Sequence, residues 1–541
     1  MKFHNLRKAL CVVLAAVICL GAMAFQTENT VLARGGSYNE PTVRVGMYVD
    51  SGMLDTRMYS SKNTSSTGAF EVGYSSGGFN SILTLNQKDI ILLPQINSVF
   101  DSASLSCKMG DGNVGAYSAV MSRHASYSEA ASVANSMGGF VAVVNGGFEV
   151  RKFSASSVAE VTELSGGKPV SVPNNGGIII LDTNGKILLT YEDTSRRLAV
   201  RAVGGGSVSF PHKHRSGKIN NFDYIGYFEY CVSGAKLMMI NCIGLESYTK
   251  CVMANEIGTN VSVETRKAFS VLARTVPLHK KHGNDFNVCC NSACCQVYSG
   301  VHRMSDENNA IVDSTRGLIC TYEGSPISVL YHNSNGGASC SSVAAWGGDE
   351  VPYLTTVFIE EAGETDVWTH EFTEEEFSKY IRSRYAFSSL RGSDISMKIL
   401  ETDPYGSDYI TVLSVSDGNG NNVIVENAEA IRSACGFDSA NFDLEYSSEM
   451  QVITADGTVQ TVRVDGVATK DGYEKFDGFG DSYKTTAGVE VAPTKVTVNG
   501  QGVGHGVGFS AIGSEQLAKD GYSYEYIISF FFNGTKLTYA R

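Results

Sequence analysis

Beyond residue 24 no stretch of the chain is long and apolar enough to span a bilayer, which leaves only the N-terminal segment as a candidate membrane element. Positive charge is in short supply: 43 Lys and Arg stand against 56 Asp and Glu, a formal net charge of −13. An acidic chain of this kind is a poor partner for nucleic acid. The glycine-rich stretch GQGVGHGVGF, residues 500–509, lacks the spacing of a nucleotide loop. The third glycine of G-x-G-x-x-G falls on His505, Val507 or Phe509, and no G-K-[ST] follows. Tryptophan occurs only twice.

What is present begins with MKFHNLRKALCVVLAAVICLGAMAFQ, in which Lys2, Arg7 and Lys8 precede an apolar run that ends near Ala22-Met23-Ala24, an A-x-A cleavage pattern. Residues 1–24 therefore read as a secretory signal peptide, with an uncleaved N-terminal anchor as the alternative. Loss of Lys2, Arg7 and Lys8, with no acidic residue, takes the formal charge from −13 to −16. Loss of Cys11 and Cys19 takes the thirteen cysteines to eleven, an odd number that argues against a complete disulfide framework.

A chain of 541 residues holds more than one core. Residues 40–106 are strand-rich, with TVRVGMYVD and SILTLNQKDIILLP as strands. The segment 107–170 has its own rhythm: strand AYSAVMSRHA, helix SYSEAASVANSMGG, strands FVAVVNGG and FEVRKFSA, then the helix-like SASSVAEVTELSGG. From Gly176 the chain is strand-rich with three helical islands. GLESYTKCVMANEIG stops at Gly258, VETRKAFSVLARTVPLHKKHG contains Pro277, which must kink or end it, and TEEEFSKYIRSRY opens on the capping box Thr373-x-x-Glu376. The glycines of 500–508 alternate strictly, which predicts an extended strand with one bare face that lets another backbone or a ligand lie close. The fold class expected is α+β.

The strand, helix, two strands, helix order of 107–170 resembles a SPOR-like peptidoglycan-binding module. The runs GLESYTKCVMANEIG, RKAFSVLARTVPL, CQVYSG, YHNSNGGASCSSVAAWGGDEVPYLTTV and GVGHGVGFSAIGSEQLAKDGYSYEYIISFFFNGT follow one another as in the SpoIID/LytB family of sporulation and cell-wall proteins. That resemblance covers residues 176–541. It implies a lytic transglycosylase that cleaves peptidoglycan glycan strands lacking stem peptides, or a non-enzymatic amidase enhancer with a cell-wall amidase as partner. Either role is extracytoplasmic and cell-wall associated.

The resemblance places the acid/base catalyst at Glu256. Physical chemistry agrees: a carboxyl in a helix's last turn faces the negative end of the macrodipole, which disfavours its ionised form, and a general acid must hold a proton to donate. Two-carboxylate hydrolases need a second acid to activate water, whereas a lytic transglycosylase can return the proton to the same carboxylate from the C6 hydroxyl of muramic acid. Glu246 reads as a cap or positioning residue. Arg274 matches the family's ARTYA and is expected to hold Glu256 or a substrate oxygen, with a structural ion pair as the alternative. The substrate-binding set expected is Arg274, His332, Asn333, Ser334, Trp346, His505 and Ser510, with Trp346 a platform for a sugar ring. The sequence departs from the family pattern where GHGVGMSQYGA has become GHGVGFSAIGS, so that Ala511 replaces a glutamine.

The loop HKKHGNDFNVCCNSACCQVYSG packs Cys289, Cys290, Cys294 and Cys295 close together, downstream of His279 and His282. Crossed disulfides or one tetrahedral zinc both fit such a cluster. In the resembling family a histidine stands at the Cys294 position, which implies a mixed His/Cys site. The zinc set taken is His282, Cys289, Cys294 and Cys295, structural in role, with no cofactor required for the chemistry.

Overall fold

Capping side chains open several of the helices. In the computed structural model, helix α1 (Tyr127–Met137) starts where the Ser126 side chain accepts from the Glu129 N–H and ends at left-handed Gly138. Helix α2 (Val158–Ser165) repeats the device with Ser157 and Gly166. Helix α3 (Leu245–Glu256) has no side-chain cap of its own at Gly244; the Glu40 carboxylate instead accepts the Glu246 N–H at 2.9 Å. Helix α4 (Val263–His279) carries Pro277 inside its last turn and stops two residues later. Helix α5 (Glu374–Arg382) opens on the complete Thr373/Glu376 capping box, and helix α6 (Ala511–Lys519) on the Ser510 side chain.

The structure describes residues 39–540 except 48–55, 61–68, 214–218, 293, 360–366, 393, 470–471, 480, 482 and 485–489. The leader or anchor expected at 1–24 lies outside the described residues. Among these no helix is long and apolar enough to cross a membrane.

The class is α+β, as expected. One large sheet has seven strands and another ten. The run SILTLNQKDIILLP links them: Phe79–Leu85 is the edge of the first, and Asp89–Pro94 lies inside the second. The order strand, helix, two strands, helix is present in 107–170, but its sheet does not stop there. Phe140–Val144 pairs in parallel with Ile187–Tyr191, so the ten-stranded sheet runs across residue 170. A buried ion-pair network reinforces this seam, with the Arg151 guanidinium between Glu149 and Glu192.

The seven-stranded sheet places the candidate site. Its strand Lys236–Gly244 runs straight into α3, and at its edge Val288–Cys289 pairs in parallel with Thr42–Met47. Helix α4 is buried on nearly every face, because α3, Asp306–Ser314, Leu318–Tyr322 and α6 all pack against it.

The glycine alternation is not a strand. Lys495–Gln501 is extended, but Gly502, Gly504, Gly506 and Gly508 all take positive φ, between 75° and 112°. This corrects the expectation of a bare strand face open to another backbone or a ligand. A Cβ on Gly504 would come within 2.8 Å of the His332 Cβ, and one on Gly506 would overlap the Tyr409 hydroxyl. The chain's own backbone and side chains fill the space that the missing side chains leave.

Candidate active site

Glu256 is the last residue of α3, which ends because Ile257 turns to extended backbone. The carboxylate lines a cavity of about 260 Å³ together with Ile257, Phe269, Tyr331, His332, Asn333, Phe509 and Ala511. No other carboxylate stands among these residues. Glu256 Oε1 accepts the Val297 N–H at 2.6 Å and the Tyr331 O–H at 2.9 Å. Among the described residues Oε2 has no hydrogen-bond partner, so a proton on this carboxyl belongs on Oε2. Burial, and then the Glu256 carboxylate beside it, push the Tyr331 phenol well above its ordinary value, which keeps it a donor.

Strand pairing brings the distant segments together. Tyr331–His332 pairs in parallel with Phe509–Ser510, and Ser334 exchanges backbone hydrogen bonds with Val503. Phe269 of α4 meets the Tyr331 ring edge-on at 5.1 Å. The apolar wall of the cavity is thus built from α4 and the Phe509 strand.

Of the expected substrate contacts, His332 and Asn333 line the cavity. The others do not, each for a visible reason. Arg274 is 0 % exposed: its Nε and Nη2 hold the Glu246 carboxylate at 2.8–3.2 Å, and Nη1 and Nη2 also donate to the Leu318 and Val312 carbonyls. It is the cation of a buried structural pair, not a ligand of Glu256 or of substrate. Glu246 is its anion, 2 % exposed, and also accepts the Gly317 N–H. Ser510 is buried and caps α6 by accepting the Gly513 N–H. Ser334 is buried as well, its Oγ accepting the Gly336 N–H. His505 packs between His332 and Trp346, at centroid distances of 5.4 and 5.5 Å, and makes no contact with Glu256. Trp346 is 42 % exposed but stands outside the lining. Tyr331 and the Val297 amide were missed by sequence reasoning; Tyr331 sat in the quoted motif beside His332, but nothing local pointed its hydroxyl at Glu256.

The loop after α4 brings His282, Cys289, Cys294 and Cys295 together, with all four ligand atoms within 4.8 Å of one another. The Cys289–Cys295 and Cys294–Cys295 Sγ separations are 3.5 and 3.8 Å, and His282 Nε2 lies 3.1 and 3.8 Å from the Cys295 and Cys294 sulfurs. Zinc–sulfur bonds of about 2.3 Å at a tetrahedral angle put ligand sulfurs about 3.8 Å apart, so the set fits a tetrahedral ion. Cys289, Cys290, Cys294 and Cys295 are free thiols. The Cys289 thiol donates to Cys295 and so holds the Cys295 thiol below its ordinary value. Two residues past Cys295 comes Val297, whose N–H holds Glu256.

Residues 233–322 match the family described as SpoIID, Stage II sporulation protein. The chain is 27% identical over 300 residues to the amidase enhancer of Bacillus subtilis, covering 53% of this chain and 40% of that protein. It is 23% identical to an uncharacterized protein of Brachyspira hyodysenteriae, over 59% of this chain and 73% of the other. Similarity to the stage II sporulation protein D of Bacillus subtilis is 23% over 55% of this chain and 75% of that one. The matched family segment contains α3, α4 and the cysteine loop, while Tyr331, His332, Phe509 and Ala511 lie beyond it. The helix-end glutamate, the buried Glu246–Arg274 pair and the His/Cys loop all lie inside the segment that is similar to the SpoIID family, and the chain spans 40% of the length of the amidase enhancer it matches.

Proposed function

We propose that this protein acts on cell-wall peptidoglycan as a lytic transglycosylase, with Glu256 as its acid and base. The observation that carries this reading is that, among the described residues, Glu256 is the one carboxylate lining the cavity, with Oε1 tied to two donors and Oε2 without a hydrogen-bond partner. A hydrolase with two carboxylates would want a second acid in the lining. Oε2 gives its proton to the glycosidic oxygen as the bond from C1 of N-acetylmuramic acid to that oxygen breaks. The C6 hydroxyl oxygen of the same sugar then bonds to C1, and its proton returns to Oε2. The products are a free hydroxyl on the leaving sugar and a 1,6-anhydromuramic end; no water is consumed. The Val297 amide and Tyr331 hydroxyl steady the carboxylate between the two transfers.

Zinc is proposed at His282, Cys289, Cys294 and Cys295, where it would cross-link the loop that presents Val297; when bound it supplies structure, with no part in proton transfer. The proposed location is outside the cytoplasm, at the wall or the outer face of the cytoplasmic membrane, and stem-peptide-free glycan is the proposed substrate.

A second reading is favoured by two observations. One relative is named an amidase enhancer, and Ala511, which stands where the family pattern has glutamine, lines the cavity. Under it the protein binds glycan and activates an amidase without cleaving. Mass spectrometry of peptidoglycan incubated with the pure protein, with and without prior amidase treatment, separates the two. Release of 1,6-anhydromuramic products supports the first; binding and faster amidase turnover without such products support the second.

A further inference from the structure

One residue fixes two histidines beside the cavity. The Val507 carbonyl lies 3.1 Å from His332 Nδ1, and the Val507 N–H donates to His505 Nδ1 at 3.0 Å. A carbonyl only accepts, so His332 carries its hydrogen on Nδ1; an amide N–H only donates, so the bare nitrogen of His505 is Nδ1. The two rings are held as opposite tautomers, 5.4 Å apart. With Nδ1 given to the Val507 carbonyl, His332 still has Nε2 to place. It is 7 % exposed, it lines the cavity, and its Nε2 is buried with no partner among the described residues. A buried acceptor left open at the wall of a cavity is completed by what enters the cavity.

We infer that His332 Nε2 is the hydrogen-bond acceptor for the sugar seated against Glu256, taking one hydroxyl or acetamido N–H, and that the Val507 carbonyl holds it in the tautomer that accepts. This rests on the glycan reading of the site. Burial, and then His505 beside it, pull the His332 imidazole down to about 3, so it stays a neutral acceptor and moves no proton in the reaction. His332 is thus a specificity contact, and Glu256 alone carries the chemistry.

The test uses the full chain labelled with nitrogen-15 at histidine and carrying Glu256→Gln, so that sugar is bound but not cleaved. The probe is an oligosaccharide of alternating N-acetylglucosamine and N-acetylmuramic acid without stem peptides. At neutral pH the free protein should show His332 Nε2 as an unprotonated nitrogen. On saturation that resonance should move upfield while His505 stays in place. A downfield shift of one sugar N–H assigns the donor as acetamido; none assigns it as hydroxyl. His332→Asn retains an N–H for the Val507 carbonyl but offers nothing at Nε2, so its melting temperature at neutral pH should be kept while affinity falls on the order of tenfold. His332→Gln, which brings an amide oxygen toward the Nε2 position, should recover part of it. A protonated Nε2 in the free protein overturns the inference, whether or not the variants fold. Binding that leaves Nε2 unmoved overturns this inference alone, whereas an oligosaccharide that does not bind at all overturns the glycan reading with it.

Discussion

The Tyr331 hydroxyl donates to Glu256 Oε1 at 2.9 Å, joining residues 75 positions apart. A donor held there by burial fixes which oxygen is left for the proton. Glu256→Gln should lower the release of 1,6-anhydromuramic products by about 10²–10⁴-fold. Tyr331→Phe leaves the Val297 amide in place and should cost on the order of tenfold. Product release unchanged in Glu256→Gln would show that the chemistry lies elsewhere.

Glu246 answers differently. Glu246→Gln leaves the Arg274 guanidinium wholly buried without its anion, which should destabilise the fold by about 3–5 kcal/mol. Urea unfolding of Glu246→Gln beside Glu256→Gln tests this: a lower midpoint is expected for the first, and one near the parent for the second, whose side chain is half-buried at the cavity.

For the cysteine loop, one zinc per chain is expected by elemental analysis. A chelator should lower the melting temperature, since metal binding is then part of the folding free energy. Cys295→Ser should reduce both the zinc content and the chelator effect. Full zinc content in Cys295→Ser would remove that residue from the site.

Acid should weaken the fold through His332. Its folded value of about 3 lies below the ordinary 6.5, so between these the unfolded chain binds a proton that the folded chain refuses. The contribution is whole above pH 6.5 and is lost as pH falls toward 3, by about 1.4 kcal/mol per pH unit. Burial pulls His505 the same way. Urea midpoints at pH 7 and pH 5 should therefore drop further in the parent than in His332→Asn; equal drops would mean that His332 does not resist protonation.

What the sequence determined by itself is local. The Thr373/Glu376 box announced its helix because a cap is made within four residues, and the helical spacing of apolar residues in SYSEAASVANSMGG announced another. His282, Cys289, Cys294 and Cys295 were legible as one cluster because a short loop holds them near one another whatever the fold around it. The place of Glu256 in the last turn of α3 was legible too, since Gly258 ends the helical pattern just beyond it. The rest was decided by pairing between distant segments. Strict glycine alternation has the period of a strand, yet here every second residue takes positive φ so that the loop can pack on Leu330, His332 and Tyr409, which no local pattern encodes. Arg274 was expected at Glu256 or a substrate oxygen, with a structural ion pair as the alternative; the ion pair is what forms, with Glu246, because Glu246 and Glu256 both lie on α3 and only the packing of α3 on α4 chooses between them. The sheet that carries 107–170 continues into Ile187–Tyr191 through a parallel pair, and hydrogen bonds between strands leave no mark in the sequence of either one.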